Sequence, residues 1–354
     1  MLNWNKNIVL VNLKGSIEKV NSFWNFVLLK ASLCYNIEEI KHGRKRAKQL
    51  EQRYEIENCK SFRVKDVFDC GQCFRWNEQP DGSYTGIFGN NVMNVKEVPE
   101  KDGTYKIIFE GICEENIEEI CKRYFDLDRD YESIKEKLSK IDGYMEESIK
   151  YGEGIRILNQ DLWEMIISFI ISANNNIPRI KGIIDRMSKK YGNKLSFRGQ
   201  DYYTFPTINE LSNASKEDLR ELGLGFRDKY IEETTKLIAS GKIDLEKLRK
   251  EKDTKKIKIE LLTLSGVGPK VADCILLFSD LKRFDVFPID VWVRRVMNDL
   301  YIHDEDESKV SKKKIEELAE EKFGELEGIA QQYLFYWKRE NSLISDRKRE
   351  WVLD

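Results

Sequence analysis

The chain has 354 residues, with 60 Lys and Arg against 62 Asp and Glu and a formal charge of −2. No global positive field is therefore available to recruit a polyanion, and any basic surface must be local. No stretch is long and apolar enough for a membrane span, since Phe23–Leu29 is interrupted by Lys30, and the N-terminus lacks a small-residue cleavage site. Seven cysteines, an odd number without a tight framework, are expected as free thiols of a reducing, intracellular compartment.

In chain order, residues 1–53 form an N-terminal extension of unknown role that ends in the basic run Lys41-His42-Gly43-Arg44-Lys45-Arg46. An added helical element, a nucleic-acid-binding arm and an upstream-start artefact all fit it. Residues 54–137 alternate polar and apolar positions between turns such as Pro80-Asp81-Gly82, Gly89-Asn90-Asn91 and Lys101-Asp102-Gly103, which predicts an antiparallel sheet. Inside this region Cys70 and Cys73 form a CxxC pair, in Cys70-Gly71-Gln72-Cys73-Phe74-Arg75-Trp76. No second pair follows at ribbon-like spacing and the only histidines are His42 and His303, so a zinc site is not supported. From 138 to 354 helical periodicity dominates, interrupted near Asn174, Gly223 and Gly266, so the class is α+β: an N-terminal antiparallel sheet and a larger all-helical part.

Five segments of the helical part carry candidate function. In Phe169-Ile170-Ile171-Ser172-Ala173-Asn174-Asn175-Asn176-Ile177-Pro178-Arg179-Ile180 an apolar helix runs into three amides, ordinarily a helix-end cap. Leu222-Gly223-Leu224-Gly225-Phe226-Arg227 sets an aromatic after two glycines, which suits either an exposed wedge or a core residue after a helix end. Leu264-Ser265-Gly266-Val267-Gly268-Pro269-Lys270 joins two apolar periodic runs and predicts a helix-hairpin-helix over about 255–279. There Gly266 and Gly268 allow positive φ and close backbone approach, and Pro269 suits the first helical position, so free amides face outward to hold a phosphate. Lys270 falls in that first turn, where the helix dipole and a neighbouring cationic environment are expected to favour its free, nucleophilic amine. Asp290, in Phe287-Pro288-Ile289-Asp290-Val291-Trp292, reads alone as an N-cap. Finally, Gln331 and Phe335 in Gly328-Ile329-Ala330-Gln331-Gln332-Tyr333-Leu334-Phe335 share one helix face.

The hairpin, its Lys and the downstream Pro-x-Asp resemble the helix-hairpin-helix DNA glycosylase superfamily. Gly266-Val267-Gly268-Pro269-Lys270-Val271-Ala272-Asp273-Cys274, together with the segments above and Gly154-Ile155-Arg156-Ile157-Leu158-Asn159-Gln160-Asp161, is similar to 8-oxoguanine DNA glycosylases in the same order along the chain, from roughly residue 60 to 340. The resemblance implies a base-excision repair enzyme. It would flip 8-oxoguanine out of duplex DNA, preferably opposite cytosine, excise it through a Lys270 Schiff base with Asp290 stabilising charge on the sugar, and nick the strand by β-elimination. It further implies that the Gly71 carbonyl accepts from the N7–H that guanine lacks. Gln331 would bond the base's Watson–Crick edge, and Cys274 and Phe335 would stack on its two faces. Asn174 would fill the vacated space, Phe226 would enter the stack, Arg179 and Arg227 would face the cytosine, and Gly266 and Gly268 would meet phosphate.

No cofactor is implied beyond a possible monovalent cation at the hairpin turn, and the absence of cysteines after Cys274 removes the iron–sulfur loop of some relatives. The expected partner is double-stranded DNA containing 8-oxoguanine, with no membrane and a monomeric chain, in the cytoplasm, nucleoid-associated in a prokaryote, or in a nucleus. Two positions depart from the family: Trp292 stands where many relatives have a phosphate-contacting His, and Lys338 where that His has an acidic partner. The alternatives are a glycosylase for another damaged base and a noncatalytic DNA-binding module.

Overall fold

The computed structural model describes residues 50–350, so the basic run at 41–46 and nearly all of the N-terminal extension lie outside the described residues. Five antiparallel strands, β1 (Glu51–Cys59), β2 (Trp76–Glu78), β3 (Tyr84–Phe88), β4 (Asn91–Pro99) and β5 (Tyr105–Ile112), form one sheet in the order β1-β5-β4-β3-β2. Trp76 pairs with Gly86 across β2 and β3, and a Cβ on Gly86 would come within 2.3 Å of the indole. The bare backbone lets Trp76 lie flat in the core, stacked on Phe68 at 4.1 Å between centroids. Burying rings of this size supplies much of the sheet's stabilisation.

The strands stop at Ile112. Residues on to 137, read from sequence as sheet, instead form the helices Ile117–Tyr124 and most of Tyr131–Ser139. Ile117, Ile120, Cys121 and Tyr124 recur at helical spacing and are all buried. A second departure lies inside the helical part, where Lys194–Phe197 and Gln200–Tyr203 form β6 and β7 of a small hairpin. Arg198 and Gly199 both take positive φ, 48° and 78°, the twist a two-residue hairpin turn requires. Phe197 is buried against Ile87, Val92 and Ile112 of the large sheet, and that contact holds a segment too short to declare itself by periodicity.

The remaining chain is helical. Leu162–Ser172 is buried at nearly every position and packs on Pro269–Phe278, with Phe169 and Phe278 stacked at 5.7 Å. The long C-terminal helix Glu327–Glu350 packs against the segment before β2: Gln332 Nε2 donates to the Cys70 carbonyl and Tyr336 OH to Asp66. Among the described residues no helix is long and apolar enough to cross a membrane.

Glu164 sits inside this framework, 3.8 Å from the Arg75 guanidinium, and burial pushes its carboxyl up to about 7 against the pull of Arg75. Because the folded state holds this proton more tightly than the unfolded chain, the group's contribution to stability is full below about 4.5 and is lost as pH rises through about 7. Thermal unfolding of Glu164→Gln at pH 5 and pH 8 should accordingly show a smaller drop in Tm than wild type. An unchanged drop would mean that Glu164 does not titrate in this window.

Candidate active site

The hairpin places the first candidate groups. Helices Thr254–Leu261 and Pro269–Phe278 flank a turn in which Gly266 takes φ +82° and lies so close to Tyr230 that a Cβ would approach its ring within 2.9 Å. Gly268 differs from expectation. Its φ is −93°, ordinary for any residue, and no protein atom lies within 4 Å of a Cβ built there. Nothing in the protein demands a glycine at 268, and the open space lies over the amides that begin the helix of Lys270.

Lys270, Asp290, Gly71 and Phe335 line a cleft of ≈ 730 Å³ and also a small inner cavity of ≈ 60 Å³, which Cys274 and Gln331 complete. Six residues, from Gly71 to Phe335, thus converge on one place. Asp290 caps the helix Val291–Met297, its Oδ1 accepting from Val293 N at 2.8 Å, so the capping role coexists with its place on the cavity wall.

The Gly71 segment has a consistent pattern of carbonyls. The Asp69 carbonyl accepts from Arg339 Nη2, that of Cys70 from Gln332, and that of Gln72 from Gln160 Nε2 at 2.8 Å. Gly71, at φ +93°, is the member of this run whose carbonyl receives no donor from the described residues. Gln331 is in the same condition: it is buried, and its Oε1 has no partner among the described residues. Buried polar groups are rarely left unpaired, so both point to a ligand.

Electrostatics correct the expectation for Lys270. Cys274 beside it, and then the Asp290 carboxylate, hold its ammonium form above the ordinary lysine range, although burial pulls the other way. Burial raises the Cys274 thiol in turn, and the adjacent Lys270 ammonium opposes that rise. Lys270 consequently rests as an ammonium. The helix-dipole argument failed because the neighbours that decide the protonation state, Cys274 and Asp290, act at closer range than the dipole.

The other candidates cluster at the cleft's mouth. Of the three amides, Asn175 Nδ2 donates to the Ile171 carbonyl at 3.1 Å and Asn176 caps the next helix, while Asn174 is exposed, lines the cleft and takes φ +50°. Phe226 is 59 % exposed, which excludes the core alternative, and packs edge-on against Tyr230. Arg179 is exposed and donates to the Gly223 carbonyl at 3.3 Å. Arg227 is no free arm: it is 2 % exposed, and its nitrogens donate to the carbonyls of Ala173, Asn174 and Leu224.

Two family models cover adjoining stretches of the chain. Residues 55–166 match the 8-oxoguanine DNA glycosylase N-terminal domain, and residues 167–325 match the HhH-GPD superfamily of base excision DNA repair proteins. The N-glycosylase/DNA lyase OGG1 of Arabidopsis thaliana is 30% identical over 276 residues, 76% of this chain and 75% of that protein. The chain belongs to the 8-oxoguanine DNA glycosylase family. A probable N-glycosylase/DNA lyase of Methanothermobacter thermautotrophicus is 32% identical over 67% of this chain and 78% of that protein. Among solved structures, the Clostridium acetobutylicum 8-oxoguanine glycosylase/lyase, in complex with double-stranded DNA containing cytosine opposite 8-oxoG, matches with TM-score 0.76 and 43% identity, covering 83% of this chain and 98% of that one. A 3-methyladenine DNA glycosylase from Archaeoglobus fulgidus, 22% identical with TM-score 0.64, shares the fold.

Against the family pattern, Trp292 lines the cleft with its indole N–H buried and without a partner among the described residues, and Lys338 pairs with Asp299 at 2.9 Å. The 8-oxoguanine DNA glycosylase motifs did not flag Arg294, Lys312 and Arg339. With Lys270 they give the cleft lining four cations and the carboxylate of Asp290, Arg339 being also paired with Glu340 at 3.0 Å, so the cleft is locally basic on a chain of charge −2. Arg339 was within reach of the sequence, being four residues beyond Phe335 on the same helix face. Lys312 comes from a different helix, and no local signal connects it to the site. No group of three or more His, Cys, Asp or Glu side chains among the described residues could hold a metal ion.

Proposed function

We propose that this chain excises 8-oxoguanine from duplex DNA, with cytosine the favoured opposite base, and then nicks the strand by β-elimination. The observation that carries the reading is the undonated Gly71 carbonyl on the cavity of Lys270 and Asp290. A purine with a proton on N7 satisfies that carbonyl, whereas guanine presents a lone pair to it. The Gln331 amide, whose buried Oε1 has no partner among the described residues, would meet the Watson–Crick edge, with Phe335 and Cys274 on the two faces of the ring.

Extrusion costs a few kcal/mol, offset by filling the gap and the pocket. Phe226 is the exposed ring to enter the stack, Asn174 the free amide to occupy the vacated space, and Arg179 the exposed guanidinium to read the orphaned cytosine. The amides beyond Gly266 and Gly268 would hold a phosphate. The Lys270 ammonium first loses a proton, for which Asp290 is the carboxylate on the same wall. The amine then bonds to the anomeric carbon as the bond to the base breaks, and the departing base takes the proton held by Asp290. The restored carboxylate stabilises positive charge on the sugar, and the sugar ring opens with its oxygen taking a proton from the new amine. The resulting Schiff base permits β-elimination. No step needs a cofactor. A monovalent cation at the hairpin would meet carbonyls already engaged in part, that of Leu264 by Val267 N at 3.1 Å and that of Ser265 by the Thr234 hydroxyl at 3.0 Å. The chain would act as a monomer, since each role falls to its own residues.

A panel of duplexes carrying 8-oxoguanine, an oxidised pyrimidine, an alkylated purine or normal guanine tests the reading by base release. Release should be confined largely to 8-oxoguanine, and preferential release of another base would replace this substrate. In the same assay Gly71→Ala should lower discrimination between 8-oxoguanine and guanine by roughly tenfold to a hundredfold, the worth of about one buried hydrogen bond. The new Cβ would demand an unfavourable φ and would sit 3.4 Å from Arg339 Nη1, tilting the carbonyl. Unaltered discrimination would remove Gly71 from lesion recognition.

A further inference from the structure

The C-terminal helix that carries Gln331 and Phe335 also bonds to the segment of Gly71. Gln332 donates to the Cys70 carbonyl and Arg339 Nη2 to that of Asp69, across 262 and 270 positions of sequence. Gln331, Phe335 and Arg339 follow one another at four-residue spacing along one helix face. The Arg339 guanidinium meets both lesion-binding groups at once. Its Nη1 is 3.4 Å from the Cβ that Gly71 would carry, and its central carbon lies 5.4 Å from the centroid of the Phe335 ring. Glu340 holds the other edge of the fork, accepting from Nε at 3.1 Å and from Nη2 at 3.0 Å. A carbonyl, a carboxylate and a ring thus fix this side chain, which is 20 % exposed.

We propose that Arg339 is a positioning residue for lesion recognition, a tie that fixes the Gly71 carbonyl and the Phe335 ring relative to each other, so that the edge and the face of an extruded purine are met together. The inference rests on the function proposed above and adds to it a residue that touches no reacting atom. Gly71, at φ +93°, is the least constrained residue type in the chain, and its carbonyl keeps one direction only if the peptides around it are held. Arg339 holds the Asp69 carbonyl before it, and Gln160 holds that of Gln72 after it. At the other end, a cation within about 6 Å of an aromatic face is attracted to it, which opposes rotation of the Phe335 ring out of the cleft. Lysine would supply the charge but not the planar fork that bonds a carbonyl and a carboxylate while lying beside a ring.

The test compares two single-turnover rates, release of 8-oxoguanine opposite cytosine and nicking at an abasic site opposite cytosine, where no base is present to be oriented. The proteins are wild type, Arg339→Met, Arg339→Lys, Gly71→Ala and the double variant Gly71→Ala with Arg339→Met. A tie predicts that Arg339→Met slows 8-oxoguanine release on the order of tenfold to a hundredfold, several-fold more than it slows abasic nicking, and that Arg339→Lys recovers part of the difference. It also predicts that Arg339→Met costs much less in Gly71→Ala than in wild type, because the arginine acts through that carbonyl. Equal losses on the two duplexes, or losses that multiply in the double variant, would overturn it. Should Arg339→Met fail to melt cooperatively, Arg339→Lys decides alone: the ratio of the two rates should fall below that of wild type, and an unchanged ratio overturns the tie. If wild type releases no 8-oxoguanine, the function proposed above fails. Amide hydrogen exchange over residues 69–72 then reads the tie without substrate: faster exchange in Arg339→Met supports it, and unchanged exchange overturns it.

Discussion

Lys270→Gln is expected to reduce release of 8-oxoguanine by on the order of 10⁴-fold or more while leaving lesion binding nearly intact. Glutamine is one atom shorter but keeps most of the aliphatic stem near the Phe169 ring, which Lys270 Nζ approaches at 5.8 Å from the centroid, and it has no amine to form a Schiff base. The groups proposed to recognise the base, Gly71, Gln331 and Phe335, lie on other elements and keep their geometry. Affinity for a duplex containing 8-oxoguanine, measured by titration, should change by less than about tenfold, the effect of withdrawing one cation from a cleft that keeps Arg294, Lys312 and Arg339. Full base release by Lys270→Gln would sink the assignment of the nucleophile, and loss of binding in step with activity would point to a structural role.

Asp290→Asn separates two roles that one residue plays. The carboxylate caps the helix Val291–Met297 through Val293 N, and asparagine caps about as well, so stability should stay within about 0.5 kcal/mol of wild type. The negative charge is lost, both as a proton acceptor for the Lys270 ammonium and as a stabiliser of the sugar cation. Base release should fall by roughly 10²–10³-fold, the scale of removing one preorganised electrostatic contact from a catalytic site. Asp290→Ala should lose the same rate and in addition about 1 kcal/mol of stability. A wild-type rate in Asp290→Asn would reduce Asp290 to a cap.

Much of this molecule was legible before any coordinates because its decisive signals are local. The Gly-rich turn before Pro269 fixes a helical hairpin, and β3, β4 and β5 are bounded by turns with glycine at the bends. Gln331 and Phe335 share a face because helices repeat every 3.6 residues. What escaped depends on partners distant in sequence. The β6–β7 hairpin is held by Phe197 on the far side of the large sheet, and the span from Ile117 to residue 137 turns helical although the region before it is strand. Lys270's protonation is decided by Asp290, twenty positions on, and by Cys274, neither of which a dipole argument includes. Arg227 looks like a surface arm in sequence and becomes a buried clamp only because the carbonyls of Ala173 and Asn174 fold against it. Gly71 illustrates the converse. Its place in the motif could be read from sequence, but the free carbonyl emerges only once Arg339, Gln332 and Gln160 are seen to occupy those beside it.

The central claim is that the Lys270 amine attacks the sugar of an extruded 8-oxoguanosine. Borohydride trapping tests it most directly, using a duplex with one 8-oxoguanine opposite cytosine, an undamaged control, wild type and Lys270→Gln. The account predicts a covalent protein–DNA adduct that requires both the lesion and Lys270. Base release by wild type without any trapped adduct, or an adduct that persists in Lys270→Gln, would contradict it.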